Sequence, residues 1–348
     1  MSGRLSEVIH SKSPRILIVL LGALGDVVRG LAVVRAIKSQ LPDARISWLV
    51  EPASAGVVEL NPGVDEVIVF KRKEGLRGVV DVVSQLRKRR FDLTLDMQRH
   101  LKSGLFSRLS RAPKRIGFHP NDTKEGNWFF NNTYIESRGD DQSKIEHYLS
   151  FVECMGLAKP SVVDAGLSHI TLSTVGGEFP SILSTSYIGL ILGSSRYSKD
   201  WPEEGYQALL ERFDVAGIQQ VVLLGDKSKV EMASRLEGRA SRIAIVNAVG
   251  KTSLRELVAI IHGAKACVGP DSGPGHIAGA LGIPHVTLFG PTPASRNAPR
   301  GSEDLSLTSS IGCSPCRRKV CPGLDKLCMR LISPDAVLAK LRSRLVTA

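Results

Sequence analysis

Uninterrupted apolar runs alternate with amphipathic stretches along the whole chain. Residues 15–21, Arg-Ile-Leu-Ile-Val-Leu-Leu, are rich in β-branched residues and show no alternation, which predicts a parallel strand buried on both faces. A Gly22-Ala23-Leu24-Gly25-Asp26 turn follows, and 27–41 predicts a helix that stops before Pro42. Further strands are predicted at 46–50, 67–70 and 91–95, with helical stretches such as 79–88 between them. Strand and helix alternating in this way imply a parallel sheet with right-handed crossovers.

The pattern lapses around 167–186, where 172–180 is rich in Ser, Thr, Gly and Pro, and then starts again. Strands are predicted at 187–192, 220–224, 266–269 and 286–289, and helices at 202–215 and 254–262. Ser333 and Pro334 fit the N-cap and first position of a last helix carrying Val337, Leu338, Leu341 and Leu345 on one stripe. The expected organisation is an α/β domain over 1–170, a linker over 171–186, a second α/β domain over 187–332 and a terminal helix over 333–348. Doubly wound sheets bind ligands at the carboxyl ends of their strands, so a cleft between the two domains is the expected site.

Composition narrows the class. At 348 residues, 43% hydrophobic and 23% charged, the chain is ordinary globular protein and long enough for two domains. Residues 1–14 lack the apolar core of a secretory signal, and the longest apolar stretch, 16–24, is about half of what a bilayer needs. Four of the six cysteines are bunched at 313–328, which does not describe a disulfide framework, so a reduced, cytoplasmic protein is expected. The net charge is +12, and residues 71–115 hold fourteen Lys and Arg against four Asp and Glu, so this one segment carries ten of the twelve. Aromatic content is only 5%, and no aromatic-rich RNA-binding strand or recognition helix accompanies the charge. A localised anionic partner fits better than nucleic acid.

Three loops carry candidate chemistry. Gly22 and Gly25 allow a tight turn close to a ligand, but the third glycine of a dinucleotide fingerprint is missing, which disfavours a nicotinamide cofactor. Asp26 is either an acid complementing a helix start or a carboxylate able to take a proton from a hydroxyl nucleophile. In the 193–202 loop, Ser194 and Ser195 leave backbone amides open while Arg196 and Lys199 add positive charge, the ingredients of a phosphate site or of a solvated surface loop. At 269–282 a strand ends in Asp271 and Ser272, and a Gly-rich turn opens a helix of small residues. Free amides and the positive end of the helix dipole converge there on one point suited to a pyrophosphate, with His276 as an added donor and Asp271 orienting the loop. The alternative is a plain Ser272 N-cap and a structural histidine. Phe289 to Pro293 forms a turn placed to line a nucleotide site. Cys313, Cys316, Cys321 and Cys328 form either a zinc site or a thiol-lined knuckle.

Taken in order, the 16–27 segment, Arg196 to Glu203, the Gly-Lys-Thr-Ser-Leu run at 250–254, Gly269 to Ala278, Leu288 to Thr292 and the Cys-Ser-Pro-Cys ending resemble the motifs of the bacterial lipopolysaccharide heptosyltransferases of glycosyltransferase family 9. The resemblance implies a GT-B fold of two Rossmann-like domains, acceptor on the first and nucleotide sugar on the second, with the last helix returning to the first domain. It also implies inverting, metal-independent transfer of heptose from ADP-heptose to the growing inner core, without a cofactor. Asp26 matches the family's general base, Lys199 its diphosphate-binding lysine, and Asp271, Ser272, Gly273 and His276 its donor loop. Ser194, Ser195 and Arg196 share the Lys199 loop, and Asp226 falls where the family holds the ribose. Gly25, Arg99 and Lys102 fall on the acceptor side, the last two one turn apart if 96–103 is helical. The partners implied are an ADP-sugar, an anionic lipid-linked acceptor and the inner face of the cytoplasmic membrane, with the oligomeric state open. Two alternatives stand beside this: a related transferase using another nucleotide sugar, and a basic anion- or nucleic-acid-binding protein without catalysis, which has no need of a carboxylate facing a nucleotide.

Overall fold

The apolar run after Pro14 becomes the central strand of a sheet, because both of its faces are covered by helices. In the computed structural model, which describes residues 12–139, 141–176, 179, 186–215, 218–238 and 243–345, the chain divides into two units, Met1–Leu167 and Ser168–Ala348. Of the 1–14 and 171–186 stretches discussed above, residues 1–11, 177, 178 and 180–185 lie outside the described residues. No helix among the described residues is long and apolar enough to cross a membrane.

The first unit contains β1 (Arg15–Val19), β2 (Arg45–Val50), β3 (Glu66–Val69), β4 (Leu93–Asp96), β5 (Lys114–Gly117) and β6 (Thr133–Tyr134), all parallel, in the order β3-β2-β1-β4-β5-β6. Its helices are α1 (Leu24–Gln40), α2 (Pro52–Glu59), α3 (Gly75–Lys88), α4 (Leu101–Leu109) and α5 (Lys144–Cys154). α1 packs against α2 and α5, while α3 packs against α4. Leu17, Val19, Leu49 and Ile68 from the strands meet Val82 and Leu86 of α3 and Phe106 of α4 in one buried cluster.

The second unit contains β7 (Ile188–Ile191), β8 (Gln220–Leu224), β9 (Ala244–Asn247), β10 (Ala266–Pro270), β11 (His285–Phe289) and β12 (Ser306–Thr308), again all parallel, in the order β12-β11-β10-β7-β8-β9. Its helices are α6 (Glu203–Val215), α7 (Val230–Glu237), α8 (Leu254–Gly263), α9 (Gly273–Ala280), α10 (Ala294–Asn297), α11 (Leu327–Arg330) and α12 (Pro334–Leu345). Counted from its own first strand, the second sheet repeats the order of the first. The order reverses between β1 and β4 in one unit and between β7 and β10 in the other. At such a point the two flanking crossovers leave in opposite directions and open a crevice at the carboxyl edge.

The apolar stripe of the last helix is spent within the second unit: Val337, Leu338 and Leu341 of α12 are buried with Leu209, Val268, Val286 and Leu288 in its core. Arg212 of α6 bonds Asp335, and Arg344 bonds Asp304, so both ends of α12 are tied to that unit. The apolar stripe is thus already consumed. The first helix begins at Leu24 rather than at residue 27, because Ala23 in extended backbone takes the N-cap position and Asp26 falls inside the first turn.

Candidate active site

Each crevice collects the charged loops that follow its two central strands. In the first unit, Ala23 makes no side-chain cap, and Asp26 is the third residue of α1, its N–H bonded to the Ala23 carbonyl at 2.9 Å. Capping therefore does not explain Asp26. Its Oδ1 receives Arg29 Nη1 from the next turn at 2.9 Å and Lys144 Nζ from α5 at 2.8 Å. A carboxylate held by two charge-assisted bonds is fixed in position, and at 24% exposure it still faces solvent. The chain beside it is open: a Cβ at Gly22 would meet nothing within 4 Å. Gly25 lies in the same turn of α1 and is buried.

Across the switch point, β4 ends in Asp96, which is fully buried. Asn127 and Asn131 donate their side-chain amides to its Oδ2 at 2.7 and 3.1 Å, and the Gln98 N–H reaches Oδ1 at 3.3 Å. Burial pushes this carboxyl up to about 6 against the pull of these donors. The neighbouring cations do not share a face as expected. Arg99 precedes α4, which starts at Leu101; it donates to His147 Nδ1 and lies 4.5 Å over the Phe118 ring. Lys102 turns instead toward Phe70, 5.3 Å from its ring centre, and lies 3.9 Å from Glu51 at the end of β2. Burial and the Arg72 charge lower its pKa from the ordinary lysine value.

In the second unit the loop after β7 is built around Asp200. The backbone N–H and hydroxyl of Ser194 both donate to Asp200 Oδ1, at 2.8 and 2.9 Å, and Lys229 Nζ bonds Oδ2 at 2.6 Å. Gly193 makes room for this lysine, since a Cβ there would lie 2.3 Å from Lys229 Cε. Asp226 is exposed and accepts the Ser228 N–H at 2.8 Å, capping the turn that carries Lys229. Ser195 and Arg196 lie exposed on the Lys199 loop.

That loop delivers Lys199 to the end of β10. Its Nζ donates to the Asp271 carbonyl at 2.6 Å and lies 3.3 Å from Oδ2. Thr292, from the turn after β11, donates to the same Oδ2 at 2.9 Å, and His276 Nε2 lies 3.3 Å from Oδ1. Asp271 therefore ties Lys199, Thr292 and His276 together at this loop. Ser272 stands at the N-cap of α9 but makes no capping bond, and its buried hydroxyl has no hydrogen-bond partner among the described residues. Gly273 and Gly275 offer amides in the first turn, while Pro274 has none to offer. Below this turn the buried His285 bonds Thr287 at 2.6 Å, and a Cβ on Gly275 would lie 2.7 Å from its ring. Burial first, then the His276 charge, pushes His285 down to about 3, so the imidazole under the helix start is neutral.

The cysteine segment abuts the same loops. Cys313, Cys316, Cys321 and Cys328 line a cavity of about 380 Å³ with Ser198 and Pro291. All four thiols are free, and burial raises the pKa of Cys328, with the other three adding to it. Among the described residues no group of three or more His, Cys, Asp or Glu side chains is arranged to hold a metal. Gly290 lets the segment approach, because a Cβ there would meet Met329 and Cys328. The 250–254 run is helix-start chemistry: Ser253 and Glu256 form a reciprocal capping box on α8.

Of the residues at these crevices, sequence reasoning singled out Asp26, Lys199 and the 271–276 loop, but not Lys144, Asp96, Asp200, Lys229 or His285. Lys144 is 118 positions from Asp26, and no local pattern signals the pair.

Comparison with known proteins gives the family and the fold. The family model of glycosyltransferase family 9 (heptosyltransferase) matches residues 79–326. The chain is 28% identical over 301 residues to the lipopolysaccharide core heptosyltransferase OpsX of Haemophilus influenzae, covering 85% of each. It is 27% identical to lipopolysaccharide heptosyltransferase 1 of Pseudomonas aeruginosa, over 88% of this chain and 87% of that one. The fold matches that of the E. coli heptosyltransferase WaaC solved with ADP, with a TM-score of 0.77 at 21% identity over 95% of this chain and 99% of that one. The fold is of the GT-B class.

Proposed function

From a chain that belongs to glycosyltransferase family 9, and is thus a glycosyltransferase, we propose the following reaction: transfer of heptose from ADP-heptose to the inner core of lipopolysaccharide, with inversion. The observation that carries this reading is the cluster of Lys199, Asp271, Thr292 and His276 at the amide end of α9. A diphosphate there meets the Lys199 ammonium, the Gly273 and Gly275 amides, the helix dipole and the Ser272 hydroxyl, without needing a metal to neutralise it.

In the proposed step an acceptor hydroxyl attacks the anomeric carbon of the donor. Its proton passes to the Asp26 carboxylate, the bond from that carbon to the β-phosphate oxygen breaks, and ADP leaves with its added charge on the α9 site. Arg29 and Lys144 hold Asp26 in place for this step. The first unit takes the lipid-linked acceptor and the second the nucleotide sugar, at the inner face of the cytoplasmic membrane. The resemblance to WaaC bound to ADP supports the donor assignment.

Asp26→Asn is expected to lower transfer by about 10²- to 10⁴-fold, the usual worth of a positioned base, while ADP binding by calorimetry stays intact. Normal turnover in this variant would overturn the base assignment. A panel of ADP- and UDP-sugars tests the donor: transfer from a sugar other than ADP-heptose would select the related-transferase reading.

A further inference from the structure

On the first unit, α3, α4 and the turn Asn127–Phe130 pack side by side, α3 on α4 and α4 on the turn. Their outer side carries large apolar residues that the fold leaves in solvent. Leu76 and Val80, one turn apart on α3, are 84% and 67% exposed, and Phe129 is 70% exposed while stacked on Trp128 at 3.7 Å. Leu101 and Leu105 of α4 lie exposed between them in the packing order. Single exposed apolar residues are ordinary, but five on three adjoining elements are not. A groove of about 530 Å³, floored by Val79, Val80, Val83 and Leu109 and edged by Arg87 and Lys88, lies on the same helix.

Positive charge is in excess around this face: residues 71–88 hold six Lys and Arg against Glu74 and Asp81, and Lys71 pairs with Glu74 at 3.6 Å. Lys71, Arg72, Lys73 and Arg77 are exposed at the start of α3, within the segment whose surplus is ten positive charges. The patch also adjoins the carboxyl edge of the sheet. Arg72 acts on Lys102, which sits by Phe70 and Glu51 just past β3 and β2.

We propose that the outer face of α3, α4 and the Asn127–Phe130 turn is a docking surface for an anionic lipid bilayer, in which Leu76, Val80 and Phe129 enter the headgroup boundary and the Lys71–Arg77 cations meet lipid phosphates. Apolar side chains with an aromatic pair, flanked by an excess of cations, match that interface in both chemistries. Nucleic acid would use the cations and leave the apolar residues wet. The proposal rests on the reading that the first unit receives a lipid-linked acceptor. Docked this way, the unit would bring its carboxyl edge, and Asp26, to the acceptor's own surface.

The test is flotation of the full chain with vesicles of phosphatidylcholine, alone or with about one third phosphatidylglycerol, free of any acceptor. The wild type is expected to float with the anionic vesicles and to release in 0.5 M salt, as surface ion attraction requires. Replacing Lys71, Lys73 and Arg77 by Gln should weaken binding about 100-fold, at roughly fivefold per cation. Leu76→Asn with Val80→Asn should weaken it about tenfold or more. Transfer to a soluble, lipid-free acceptor should be unchanged in both variants, which also shows that they fold. Equal flotation of wild type and variants, or equal binding to neutral vesicles, overturns the proposal. So does displacement of the vesicles by duplex DNA, or self-association through this face in sedimentation. Failure of heptosyl transfer with flotation intact would instead refute the donor reading alone.

Discussion

Asp96 makes the first unit sensitive to pH in a direction opposite to that of most carboxylates. An unfolded aspartate titrates near 3.8, whereas burial pushes this one up to about 6 in the folded chain. The sign follows directly. Below about pH 4 both states hold the proton; between about 4 and 6 only the folded state does; above 6 neither does. The contribution is therefore full at low pH and is lost as pH rises through 6. A difference of roughly two units at 1.36 kcal/mol each amounts to about 3 kcal/mol, a large share of a domain's stability. Asp96→Asn removes this component, and the other titrating groups cancel when variant and wild type are compared. Of the three tryptophans, Trp48 and Trp128 lie in the first unit and Trp201 in the second, so a Trp201→Phe background makes fluorescence report the first unit alone. Guanidinium unfolding in that background, at steps from pH 4 to pH 8, should show the wild type losing up to about 3 kcal/mol relative to the variant. A carboxyl ¹³C titration should place the Asp96 midpoint near 6. Parallel pH profiles, or a midpoint below 4.5, would refute the reasoning.

Two further outcomes test the second unit. Lys229→Met strips Asp200 of its cation while Ser194 still donates to it, so the expected loss is near the low end for a broken buried pair, about 3 kcal/mol. ADP affinity should fall with it, because the loop holding Lys199 loosens; calorimetry with ADP and a melting curve check both, and Asp200→Asn in the same chain should recover part of the stability. Gly275→Ala drives a methyl into the His285 ring and should cost about 1–3 kcal/mol together with ADP affinity. Adding His285→Ala should cost less than the two single changes summed, and simple additivity in that cycle would deny the contact.

Much of the architecture was legible because parallel strands buried on both faces announce themselves as unbroken apolar runs. β8, at 220–224, falls where the pattern put it, and β7, β10 and β11 are within about a residue. The strands that escaped, β5, β6, β9 and β12, are edge or near-edge strands of two to four residues whose half-exposed polar positions break the run. The terminal helix shows the limit of pattern reading. Its stripe of Val337, Leu338 and Leu341 was visible, yet the stripe does not say which core receives it.

The same division holds for the site. The sequence alone determined that Asp26, Lys199 and Asp271 follow closely after strands, because glycine turns and helix starts are local and readable. It also concentrated the charge surplus in one segment of the first unit. Only the tertiary structure decided what those residues do. It joined Asp26 to Lys144, anchored the Lys199 loop through Asp200 and Lys229, separated Arg99 from Lys102, and left Leu76, Val80 and Phe129 outside the core. The physical reason is range. Turn chemistry and periodicity act over a few residues, whereas ion pairs and burial are settled by which elements the crossovers bring together.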